Sequence, residues 1–422
     1  MKKVVLLSLL CLFSSFISAQ KLLIQMDDSQ TNHLKAYGIA FWQLEQGLTI
    51  EWLLNYRGGS FLVDDNPVTR QECQLRDVSF NPVSTGEEAS IKQEIAREDV
   101  NADVIKLEKA PKIAVYSPPN TLPWDDAVTL ALTYAEIKYD KIWDKAVLEG
   151  KLKEYDWLHL HHEDFTGQYG KFYANFATVP WYIRQQAEYE AFAKEMGFPT
   201  VSEEKKAVAE KIREYVGEGG FMFAMCSATD SYDIALSALG LDIAPPEFDG
   251  TPADQDANKK LNFKRTLAFQ NFTLNMNAYV YEYSDIDIQP EEIQQRIQNQ
   301  ASDFFTLFEF SAKWDPIPTM LTQNHRKVIK GFLGQTTIYK KRFVKPNVLV
   351  MGEYEGRDEV KYLTGTYAKG TFTFFGGHDP EDFQHAVGDP PTDLSLHKNS
   401  PGYRLILNNI LFPAAKKKKH KT

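Results

Sequence analysis

Gly220-Phe-Met-Phe-Ala-Met-Cys226-Ser-Ala-Thr-Asp-Ser231 is the stretch that decides the fold class. Phe221 to Met225 is an uninterrupted apolar run of strand length, preceded by Gly217, Gly219 and Gly220. Cys226 follows directly, and Asp230 to Leu239 has the spacing of a helix closed by Gly240. A buried strand that delivers a cysteine to a sharp turn and runs at once into a helix reads as a nucleophile elbow. Such a turn exposes the side chain above the sheet, and the positive helix end favours the thiolate. The same residues also fit a small hydrophobe that merely ends a core strand.

Working outward, strand and helix patterns alternate on both sides of this elbow, which favours a parallel sheet with helices on both faces. Ile113 to Tyr116 is a short apolar strand, Trp124 to Ile137 a helix, Ile142-Trp143 part of a second strand and Asp156 to Leu160 a third. Ser202 reads as the cap of a helix running to Val216. After a break, Val348 to Met351 resumes the pattern, then a Tyr362 to Phe375 hairpin and a helix from Gly402 to Leu411. The α/β domain therefore covers residues 111–245 and 346–412. Residues 20–110 read as a small α+β domain with a helix over Ser29 to Glu45, a strand over Thr49 to Tyr56 and a helix over Glu87 to Ala96. Residues 246–345, strand-rich from Asn271 to Ile288, read as an insertion, and 413–422 as a basic tail.

The chain has 422 residues, 43% apolar, 13% aromatic and 25% charged, the composition of a globular protein with a substantial core. Lys2 and Lys3, the apolar run Val4 to Phe13 and the small residues up to Ala19 describe a secretory signal, cut after Ala19. The expected location is the periplasm or beyond. The mature chain then has 45 basic against 57 acidic residues, a net charge of −12, which argues against nucleic acid as a partner. No later stretch is long and apolar enough for a membrane span. Cys11 leaves with the signal, so Cys73 and Cys226 remain, either free or paired with each other.

Two further strand ends carry chemistry. Gly376-Gly377-His378-Asp379-Pro380-Glu381-Asp382 follows the strand Thr371 to Phe375. In an open α/β sheet ligands bind beyond the carboxyl ends of strands. Cys226 as nucleophile, His378 as base and Glu381 as its orienter form the candidate catalytic set. His161, His162, Glu163, Asp164, Ser227 and Asp379 are the candidate substrate-binding residues. Along the strand ending at Leu160, His159 and His161 share one face, opposite Leu158 and Leu160. No motif demands a cofactor, but His159, His161 and His162 are the residues suited to a divalent metal.

The cysteine elbow followed much later by Gly-His378-Asp-Pro-Glu381 resembles the class I glutamine-amidotransferase-like superfold, in particular its trehalose-utilisation-type branch. Amidotransferase domains carry Gly-x-Cys-x-Gly and His-Pro-Glu. Here the elbow is Ala224-Met-Cys226-Ser-Ala228, and one residue is added in His378-Asp-Pro-Glu381. The resemblance implies a flavodoxin-like parallel sheet over residues 110–245 and 345–412. Trp157-Leu-His-Leu-His-His-Glu-Asp-Phe-Thr-Gly-Gln-Tyr-Gly170, with Gly377 to Glu381, also resembles secreted bacterial proteins often labelled asparagine synthetase B. An asparagine synthetase resembling the known enzymes needs an N-terminal cysteine and a Ser-Gly-Gly-x-Asp-Ser loop for ATP pyrophosphate. Ser227-Ala-Thr-Asp230-Ser231 lacks those two glycines.

The expected function is therefore an exported Cys–His hydrolase or amidotransferase-like protein acting on an amide or acyl substrate. One alternative is an envelope protein that holds a small polar, sugar-like ligand without turnover, Trp124, Trp157, Trp181 and Tyr182 serving as stacking surfaces in either case; the other is a structural envelope or secretion-associated scaffold with a degenerate site.

Overall fold

The computed structural model describes residues 21–120 and 124–415; the leader 1–19 with Cys11 and the basic tail from Lys416 lie outside them. The N-terminal segment forms an antiparallel sheet from β1 (Lys21–Ile24), β2 (Ile50–Leu54), β3 (Ser60–Asp64), β4 (Asn81–Val83) and β5 (Asp103–Leu107), in the order β4-β1-β3-β2-β5. The helix expected from Ser29 starts at His33, because Asp27 holds the Ser29 N–H at 3.1 Å in a local turn. Asn32 is the actual cap, accepting the Lys35 N–H. Ser84 and Glu87 form a capping box that starts the next expected helix at Thr85.

The larger sheet comprises β6 (Ile113–Tyr116), β7 (Asp140–Ile142), β8 (Trp157–Leu160), β9 (Phe221–Met225), β10 (Phe304–Leu307), β11 (Val328–Lys330), β12 (Tyr339–Lys340), β13 (Leu349–Glu353), β14 (Glu359–Tyr367) and β15 (Gly370–Phe375). Its order is β11-β10-β13-β14-β15-β9-β8-β6-β7, with β12 paired to β14. From β7 to β15 every neighbour is parallel; from β15 outward every pairing is antiparallel. The protein is thus mixed α/β with a mixed sheet: the expected parallel sheet covers the β7 to β15 half, and the expected Tyr362 to Phe375 hairpin opens an antiparallel half. The cause is the tight Ala368-Lys369 connection between β14 and β15, too short for a parallel crossover. Three strands at the antiparallel side, β10, β11 and β12, come from the 246–345 segment.

Alternation along β8 and β9 divides the core into two layers. Trp157, Phe223 and Met225 face one layer, shared with helices Ala127–Tyr134, His33–Glu45 and Pro401–Leu411. Leu158, Leu160, Met222 and Ala224 face the other, packed by helices Val201–Glu218 and Asp230–Ser237. Each such buried side chain contributes roughly 1.5–3 kcal/mol, and helices on both faces leave the carboxyl ends of the parallel strands as the free edge.

Three local expectations change. Trp143 caps the helix Asp144–Leu148 instead of extending β7. The 201–218 helix is capped by Thr200, two residues earlier than Ser202. Asn271 to Ile288 contains no named strand, only isolated bridges such as Leu274 to Ser284. There the Asn275 and Asn277 side chains bond nearby backbone N–H groups and compete with a ladder. Cys73 and Cys226 are both free and buried. No helix among the described residues is long and apolar enough to cross a membrane.

Candidate functional site

Four parallel strands deliver polar side chains to the same edge. β6 leads to Asp125 and Asp126, β8 to His161 and His162, β9 to Cys226, and β15 to His378. His159, inside β8, is fully buried between Trp157 and Phe223, its ring 5.9 and 5.8 Å from theirs. Its Nδ1 lies 3.2 Å from the Phe223 carbonyl and its Nε2 3.2 Å from Asp126 Oδ2. The other Asp126 oxygen lies 3.3 Å from His161 Nδ1. Burial alone would raise the Asp126 carboxyl, but the two histidines hold it well below the usual carboxylate range.

His161 Nε2 meets His378 Nδ1 at 3.0 Å, and His162 packs against both rings. Burial, then the neighbouring imidazoles, push His162 and His378 well below an ordinary histidine. His385, 4.3 Å from the His378 ring, goes the other way. Burial opposes its charge, yet Asp125 at 2.9 Å and Asp382 at 3.1 Å raise it.

The His378 backbone is pinned by the loop before β12. His378 N–H donates to Leu333 O at 2.8 Å and Gly377 N–H to Thr336 O at 2.7 Å. Gly334 makes this approach feasible, because a Cβ there would sit 2.7 Å from His378 N. The same loop reaches the thiol. Gln335 N–H donates to Cys226 Sγ at 3.3 Å. Cys226 follows β9 with φ +52°, a left-handed conformation costly for a cysteine, and opens a short turn before the Asp230 helix. The thiol pKa runs opposite to the expected thiolate: burial pushes it up, offset in part by the amides of Gln335, Thr336 and Ser227.

The structure sorts the sequence candidates. His161, His162 and His378 come together, and His159 joins them through Asp126. Glu163 lines a cavity of about 20 Å³ with His162, Lys205, Trp124 and Phe172. Burial pushes its carboxyl up to about 8 against the pull of Lys205. Glu381 does not orient His378; its carboxylate pairs with His397 at 3.1 Å beside a surface groove. Asp164 staples its own loop, accepting N–H groups from Thr166, Gln168 and Gly170. Asp379 likewise accepts from Tyr403 Oη and Glu381 N–H. Ser227 is fully buried. Sequence reasoning missed Asp125, Asp126 and His385. Asp126 is the N-cap of the helix Ala127–Tyr134, which its sequence position reads as a capping role alone.

No family model matches the chain, and no curated protein sequence matches it. Among solved structures, two cytoplasmic proteins of Salmonella typhimurium align over 72% of this chain and 100% of their own, at 12% and 13% identity and TM-score 0.35. A GH42 β-galactosidase from G. stearothermophilus aligns over 64% of this chain and 28% of its own, at 11% identity and TM-score 0.27. Likenesses this distant carry no assignment of function.

Proposed function

We propose that this is an exported, glutamine-amidotransferase-like protein with a flavodoxin-like core that hydrolyses an amide or acyl bond in a small polar substrate. The chemistry belongs to the histidine–carboxylate cluster and not to the thiol. One observation carries this reading: His378 Nδ1 engages His161 Nε2 at 3.0 Å, whereas Cys226 Sγ is occupied by the Gln335 amide. The cavity between His162 and Glu163 has room for one water-sized group. A water there attacks the acyl carbon, the bond to the leaving nitrogen or oxygen breaks, and the water proton passes through Glu163 to the leaving group. The remainder of the substrate lies against Trp124 and Phe172, which line that cavity and pack on Trp181.

The second reading keeps Cys226 as an acyl nucleophile. It is favoured by the positive φ at the elbow, a strain that active sites retain for a purpose. Hydrolysis of a panel of small amides, esters and glycosides by the purified mature chain separates the two. The first reading expects turnover that Cys226→Ser keeps and His161→Ala or Glu163→Gln lowers at least 100-fold. Loss of turnover in Cys226→Ser selects the nucleophile reading. Saturable binding of a sugar-like ligand with no turnover would make the protein a binder.

A further inference from the structure

We infer that His161, His162 and His378 form a binding site for one divalent transition-metal ion of the zinc class, with Asp126 fixing the His161 ring from behind. The inference deepens the hydrolytic reading of this site and rests on it only for what the ion would do there.

Three imidazoles from two non-adjacent segments each place a ring nitrogen within 4.8 Å of the other two. The His161–His378 pair is already at 3.0 Å. Two ligands at about 2.0–2.1 Å from a tetrahedral zinc stand roughly 3.3 Å apart, so the separation of this pair already fits; both rings turn from facing each other to facing the ion, and His162 closes in from within 4.8 Å. One N–H···N hydrogen bond satisfies one pair, and it leaves the third ring unserved. His162 Nδ1 is buried without a hydrogen-bond partner. Lone pairs converging in a dry site repel one another unless a cation or proton lies between them.

The surroundings supply what a bound histidine needs on its far side. With His161 Nε2 turned toward His378, its Nδ1 faces Asp126 Oδ1 at 3.3 Å. The two stand at ion-pair distance without hydrogen-bond geometry, and a small turn of the His161 ring completes the carboxylate–histidine arrangement that fixes the tautomer and raises ligand basicity. His161 and His378 are only 1% and 6% exposed, and both are anchored on the ends of sheet strands, which are rigid supports. An all-imidazole set suits zinc-class ions, not magnesium or calcium, which require oxygen ligands. His162 also lines the cavity with Glu163, so an ion held here adjoins a space for one water, the position a catalytic zinc keeps open.

The experiment uses tag-free mature protein stripped with a chelator, then titrated with cobalt(II) and zinc by calorimetry and visible absorption. One equivalent per chain is expected, with the intense visible bands of four-coordinate cobalt that zinc displaces. His162→Gln and His378→Gln should each weaken binding at least 100-fold, and Asp126→Asn 10- to 100-fold. His397→Gln, outside the cluster, should change nothing. Circular dichroism of each variant separates loss of ligand from loss of fold, and the wild-type titration stands without any variant. Failure of the folded wild type to bind one equivalent overturns the inference, as does unchanged binding in both glutamine variants. Full turnover by the stripped protein would overturn the ion's part in hydrolysis while sparing the hydrolytic reading. Tight binding without turnover of any substrate would overturn the hydrolytic reading while sparing the metal site.

Discussion

Arg404 is fully buried in the helix Pro401–Leu411, and its charge adds to burial in lowering two histidines from separate segments, His33 and His325. Its guanidinium donates to Met26 O at 3.0 Å and Gly58 O at 2.7 Å, and approaches His325 Nδ1 at 3.0 Å. His325 stacks on His33 at 4.2 Å. Burial, then the Arg404 charge, push His33 from an ordinary 6.5 down to about 4. The folded state therefore binds fewer protons than the unfolded chain between pH 6.5 and 4, and stability falls as pH falls through that window. At pH 5.0 the unfolded histidine is almost fully protonated and the folded one almost neutral, so this residue costs about 2 kcal/mol relative to pH 7.5. His33→Gln removes the titrating group. Urea unfolding at pH 7.5 and 5.0 should show the wild type losing about 2 kcal/mol more than the variant across that interval. Equal losses in both proteins would refute a neutral His33 beside Arg404.

Lys205 and Asp144 form a buried pair at 2.7 Å, so Lys205→Met should cost about 3–5 kcal/mol in denaturant unfolding by stranding the carboxylate. Cys226, 3% exposed with its thiol pushed up, should resist iodoacetamide near neutral pH and react only on unfolding, as should Cys73, pushed up to about 12; a fast Cys226 would restore the nucleophile reading. Gly334→Ala places a Cβ 2.7 Å from His378 N and should displace His378, lowering metal affinity at least 10-fold in a chain whose circular dichroism is unchanged.

The elbow and its neighbours were legible because buried strands and capped helices leave local marks. Phe221 to Met225, Trp157 to Leu160 and the Pro401–Leu411 helix fall within a residue or two of their expected limits. The antiparallel half of the sheet was less so. β10 and β11 are short strands whose pairing, such as Phe305 with Ile329, is a long-range property. At the site, His161 and His378 announced themselves by sitting at strand ends. Asp126 and His385 did not, since the one caps a helix and the other lies in an irregular loop. Glu381 misled because its spacing from His378 says nothing of His397, which it meets instead.

The most direct measurement is an X-ray anomalous difference map, at the zinc edge, of crystals grown with one equivalent of zinc. The expected result is a single strong peak about 2.0–2.1 Å from nitrogens of His161, His162 and His378, with Asp126 against the far side of His161. A zinc-loaded crystal with no peak there, or with its only peak at the Asp382, His385 and Asp389 group, would contradict the account.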